Sequence, residues 1–141
     1  MSPFETTLRE LLAAGHDARF RASGDSMYPT IRSGDYLHVV SCDASELRPG
    51  EVVLMSMDRG LTAHRIVRIS GRGGSLRIVT RADNAVRSDG PNDAANVLGR
   101  VVGIERDQKM CTPTAKSATI IRFAAVLVRR LRSGLQQKPA V

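Results

Sequence analysis

Phe4, Leu8, Leu11 and Leu12 recur at helical spacing, with Glu5, Arg9 and Glu10 between them, and Gly15 follows where a helix stops. The pattern predicts a short amphipathic helix over residues 4–14 that covers one edge of a sheet. From Ile31 onward the period shortens to alternating or short apolar runs broken by Gly, Pro, Asp and Ser. Residues 36–40, 52–57, 63–69, 76–80 and 97–104 read as strands, joined by turns such as Pro49-Gly50 and Asp58-Arg59-Gly60. No helical crossovers separate these runs, so a doubly wound α/β sheet has nothing to cover its faces and a mainly β, antiparallel domain follows. Gly71, Gly73 and Gly74 form a glycine-rich stretch, but neither a Lys-Ser/Thr pair nor a helix comes after it, so it reads as a hairpin connection. Residues 81–96 are polar and read as a loop. A last apolar segment, residues 118–131, ends among Arg129, Arg130 and Arg132. It is too short to span a bilayer and reads as a C-terminal helix that packs on the body or on a twin subunit in a homo-oligomer; the alternative is an interfacial helix with snorkelling arginines.

The 141 residues suit one small domain, and 42% apolar with 25% charged residues is a globular mixture. The net charge of +7 suggests a nucleic-acid partner until its distribution is read: residues 1–108 hold 14 basic and 14 acidic residues, and residues 109–141 hold seven basic and none acidic. The chain therefore divides into a neutral body, residues 1–108, and a basic extension, residues 109–141. A nucleic-acid partner is disfavoured, and a solvated arm or a contact between residues 118–132 and an anionic membrane surface is favoured. No run reaches the roughly 18 apolar residues of a membrane span, and Glu5, Arg9 and Glu10 do not make a secretory leader, so a cytoplasmic location is expected, peripheral to the inner membrane face if the tail binds there. Cys42 and Cys111 lack zinc-site spacing and read as free thiols; neither a metal nor another cofactor is implied.

The most informative stretch is Ser23-Gly24-Asp25-Ser26-Met27-Tyr28-Pro29-Thr30-Ile31, followed by Gly34-Asp35. Gly24 permits a close backbone approach and Pro29 stiffens the chain beyond Ser26, which sets that hydroxyl and its own amide at a rigid corner. A polar turn uses similar residues. Serine attacks a carbonyl only when a base takes its proton. His16 lies at a helix exit and His38 inside a strand pattern, where surface or core roles account for them. His64, in Leu61-Thr62-Ala63-His64-Arg65-Ile66-Val67, sits on a strand that would hold a base firmly, although from the residues alone a structural role is the favoured reading.

The serine box with its later Gly34-Asp35 resembles the nucleophile box of signal peptidase I and its relatives, which share a β-rich catalytic fold with the self-cleaving SOS repressors. In the usual bacterial signal peptidase the base is a lysine on a later strand. At that place this chain has Ala63-His64-Arg65-Ile66-Val67, which resembles the histidine-containing subgroup of archaea and the endoplasmic reticulum, without its membrane anchor. The three lysines, Lys109, Lys116 and Lys138, all follow the last core strand, and the Arg65 guanidinium does not accept a proton near neutral pH. Thr80-Arg81-Ala82-Asp83-Asn84 and Asp89 resemble the subgroup's carboxylate motif, with Arg and Ala where it has Lys and Gly.

The resemblance, which covers residues 20–105, implies a serine endopeptidase acting through an acyl-enzyme on peptide or protein substrates. Ser26 is then the nucleophile, His64 the base, Asp89 the carboxylate behind the imidazole and Asp83 a supporting one. The Ser26 backbone amide contributes to the oxyanion hole, while the serine hydroxyl that some relatives add two residues earlier is replaced by Gly24. Two other readings stand beside it: a non-catalytic peptide- or membrane-surface-binding module on the same fold, and self-cleaving repression, for which the chain has no room for a DNA-binding domain.

Overall fold

The computed structural model describes residues 2–113. The helix expected over residues 118–131, and with it the proposed membrane contact of residues 118–132, lies outside the described residues. The N-terminal helix α1 spans Pro3–Ala13: the Ser2 side chain caps it by accepting from the Glu5 amide at 3.1 Å, and Pro3 sits in the first turn where its missing N–H costs nothing. Leu8 and Leu12 bury its inner face. Glu5 turns inward too, and its carboxylate accepts from Ser56 Oγ at 2.8 Å.

Eight strands follow: β1 (Ala18–Arg21), β2 (Tyr36–Val40), β3 (Val52–Met57), β4 (Gly60–Ser70), β5 (Arg77–Arg81), β6 (Asn92–Asp93), β7 (Val97–Arg106) and β8 (Lys109–Cys111). They make one antiparallel sheet in the order β1-β2-β7-β3-β4-β5-β6, with β8 folded back on β7. The antiparallel β domain with a short N-terminal helix is the architecture expected from the sequence. The sheet runs through Cys111, past the charge boundary between residues 108 and 109. The glycine-rich stretch is the β4–β5 hairpin connection, and a Cβ on Gly71 would lie 2.3 Å from the Ser75 carbonyl oxygen, so that tight turn requires glycine.

β3 is apolar over four successive residues because the sheet has a core on both faces. Val52 and Leu54 join Leu8, Leu12, Phe20, Leu37 and Ile104 beneath α1, while Val53 and Met55 join Leu47, Ile66 and Ile78 on the other side. The pleat carries the same division into β4. Leu61 and Ala63 pack towards the α1 core and Ile66 towards the second. The central strand β7 also buries Arg100, which is 1% exposed and donates to Glu51 at 3.1 Å. No helix among the described residues is long and apolar enough to cross a membrane.

Candidate active site

Ser26 stands exposed on the turn between β1 and β2, directly before Met27, which is 3% exposed and anchors the turn in the core together with Ile31 at 4%. Gly24 has φ of +86°, in the left-handed region that favours glycine, and this reverses the chain just before the serine. The amides of Tyr28 and Ile31 close the turn onto the Asp25 and Met27 carbonyls at 3.1 and 2.9 Å. Among the described residues, the Ser26 amide donates to no protein acceptor. Ser26 lies on the wall of an open groove of about 640 Å³, lined also by Phe20, Met27, Leu54, Leu61 and Ala63. Along that groove residues 60–64 of β4 pair only with β3, because β5 begins to pair at Arg65.

The polar loop after β5 is laced to this turn. The Asn84 amide donates to the Ser26 carbonyl at 3.0 Å, and its side-chain amide to the Asp25 carbonyl at 3.3 Å. Next to it, the Asp83 amide donates to the Met27 thioether at 3.3 Å. The Asp83 carboxylate accepts from Thr30 Oγ1 at 2.6 Å and from Arg65 through a bidentate pair of 2.8 and 2.7 Å. The Arg65 guanidinium beside Asp83 holds that carboxyl below the usual carboxylate range, against the smaller opposing effect of burial.

Asp89 goes to the histidine. His64 Nδ1 and Asp89 Oδ2 are 2.7 Å apart, Thr80 Oγ1 donates to the same oxygen at 2.6 Å, and the Asp89 amide returns to the Thr80 carbonyl at 2.8 Å. His64 is the register partner of Val53 on β3, and the residues just before it, Thr62 and Ala63, both line the groove with Ser26. No hydrogen bond joins Ser26 to His64 among the described residues. The four site residues read from the sequence thus form two clusters, Ser26 with Asp83 through Thr30 and Met27, and His64 with Asp89 through Thr80. Thr30, Arg65 and Asn84 complete the first cluster. They are separated from one another by tens of residues, and only the pairing of the 83–84 loop with the serine turn shows their role.

His38 is buried on β2 against Glu105, with Nε2 and Oε2 3.0 Å apart, while Arg19 holds Glu105 from the other side. Burial pushes the His38 pKa down, and Glu105 offsets this only partly. Of the surface and core roles the sequence leaves open for it, His38 has the core one. The described residues contain no group of three or more His, Cys, Asp or Glu side chains able to hold a metal ion.

The Peptidase S24-like family model matches residues 4–102, well over half of the chain. No curated protein matches it. The match corrects the resemblance drawn from the sequence. The relatives are S24-like peptidases, which hydrolyse with a serine and a lysine, not the histidine-containing signal peptidase subgroup, and the hydrolysis expected through Ser26, His64 and Asp89 falls with that assignment. The correction rests on the family match; His64 meets Asp89 through Nδ1, and among the described residues it has no hydrogen bond to Ser26. The one lysine among the described residues, Lys109, stands exposed on β8; Lys116 and Lys138 lie outside the described residues.

Proposed function

The chain belongs to the S24-like peptidase family and is a serine-type peptidase, and from that premise we propose that Ser26 is its nucleophile, acting on peptide or protein substrates bound in extended form along β4. The observation that carries this reading is the exposed Ser26 hydroxyl on a core-anchored turn, at a groove whose wall is a half-paired strand. Residues 60–64 offer a substrate backbone the hydrogen bonds that β5 does not take, and Leu54, Leu61 and Ala63 offer shallow apolar contacts for alternate side chains. The Ser26 amide, which donates to no protein acceptor among the described residues, suits the oxyanion of a tetrahedral intermediate. Asp83 holds the 82–91 loop against the nucleophile turn through Thr30, and His64 with Asp89 holds the same loop against β4 and β5.

The basic extension, seven cationic and no acidic residues over 109–141, supports a cytoplasmic enzyme peripheral to an anionic membrane surface. Co-sedimentation with anionic vesicles should drop when Arg129, Arg130 and Arg132 are changed to Glu; unchanged sedimentation contradicts that location. The test of the activity itself is a digest of a random peptide library by the full chain and by Ser26→Ala, read by mass spectrometry. Cleavage by the parent and none by the variant is expected. Equal product patterns from both would remove Ser26 from the chemistry.

A further inference from the structure

We propose that Arg65 is a positioning residue for the nucleophile turn, acting through Asp83 and Thr30 and touching neither substrate nor the reacting atoms. The inference rests on the reading of Ser26 as nucleophile and adds what keeps that serine in place.

Arg65 makes four side-chain hydrogen bonds among the described residues. Nε and Nη2 form the fork to Asp83, and Nη1 donates to the Gly50 carbonyl at 2.8 Å and the Pro113 carbonyl at 3.0 Å. The two carbonyls fix the guanidinium to the turn before β3 and to the segment after β8, so the fork presents the Asp83 carboxylate from a fixed direction. Asp83 passes that position on. Its carboxylate holds Thr30, four residues after the nucleophile, its amide meets Met27 next to the nucleophile, and its neighbour Asn84 holds the carbonyl of the nucleophile itself. The turn is therefore gripped on both sides of Ser26, and an exposed hydroxyl on a surface turn is kept in one place. A lysine at position 65 would keep the charge and lose the planar fork, which is the element that orients Asp83.

The experiment uses the full chain and a fluorogenic peptide taken from the best-cleaved sequence of the library digest. A displaced nucleophile costs turnover more than binding. Arg65→Lys should lower kcat about 30-fold and Thr30→Val about tenfold, with KM within about threefold in both, the scale expected for hydrogen bonds to a charged group. Thr30→Ser keeps the hydroxyl and should return kcat to within about threefold of the parent. A residue that merely supported the fold would not show this split or this rescue. Hydrogen exchange gives a readout without catalysis: the Asn84 amide, held by the Ser26 carbonyl, should exchange about tenfold faster in Thr30→Val and Arg65→Lys, while amides of β2 and β7 stay protected. Unchanged kcat in both variants, a loss in KM alone, or unchanged exchange at Asn84 would overturn the proposal. If Ser26→Ala were instead to cleave like the parent, the nucleophile reading would fail, and the Asn84 exchange would still decide whether Arg65 grips the turn.

Discussion

Replacing Arg100 by Leu should be among the most damaging single changes in the sheet. The Arg100 side chain is 1% exposed and donates to Glu51 Oε1 at 3.1 Å; Glu51 is itself buried, and its other oxygen accepts from the Arg48 amide at 2.9 Å. Leucine removes the cation and leaves a carboxylate buried against an apolar neighbour. Breaking such a pair from one side costs about 3–5 kcal/mol. At roughly 4 °C per kcal/mol for a domain of this size, the melting temperature should fall by about 12–20 °C. Adding Glu51→Gln takes the stranded charge away and should return about 2 kcal/mol, because most of the penalty belongs to the unpaired ion. The assay is urea denaturation followed by circular dichroism on parent, single and double variants at one pH. A single variant within 1 kcal/mol of the parent, or a double variant no more stable than the single, would refute the reasoning. The pair also reaches the site, since Glu51 holds the 48–51 turn whose Gly50 carbonyl accepts from Arg65.

Three further outcomes test other parts of the structure. His38, held neutral by burial and faced by Glu105, Arg19 and Asp17, takes up its proton at lower pH in the folded than in the unfolded chain; the unfolded state then binds more protons as pH falls below about 6.5, so stability should drop across that window, and a His38→Gln variant should lose less between pH 7.5 and 5 than the parent. Equal losses in urea midpoint would contradict this. Gly99→Ala places a Cβ 2.5 Å from the Val40 carbonyl oxygen and 2.8 Å from Val39 Cγ1, so β7 must shift, at a cost of about 1–3 kcal/mol; an unchanged melting temperature would count against the packing described. Arg65→Lys should raise the Asp83 pKa towards the ordinary carboxylate value, followed by carboxyl-carbon NMR, with the ionised clamp lost at a higher pH than in the parent; an unmoved Asp83 would show that the fork is not what depresses it.

Most of the sheet is legible in the sequence because its strands carry apolar runs bounded by Gly, Pro and Asp, and β2 and β3 have the predicted bounds. β1, with Arg19 and Arg21 alternating against Ala18 and Phe20, and the exposed three-residue β8 escape notice because their apolar content is too low to mark a strand without its neighbour. The serine turn is readable from Gly24 and Pro29, which constrain the backbone locally. The histidine mechanism read for His64 is overturned by the family, whose peptidases pair the serine with a lysine. The residue type and strand setting of His64 suit a base, and its contact with Asp89 depends on how the 82–91 loop folds back on β4, which no local pattern specifies. Asp83 and Asp89, six residues apart in one polar loop, are equivalent by composition and are separated only by the partners that folding brings, Arg65 to one and His64 to the other.

The most direct measurement is intact-chain hydrolysis of the random peptide library by parent and Ser26→Ala proteins of matched melting temperature. The account predicts discrete cleavage products from the parent and none from the variant. Products of the same identity and yield from the Ser26→Ala protein would contradict it.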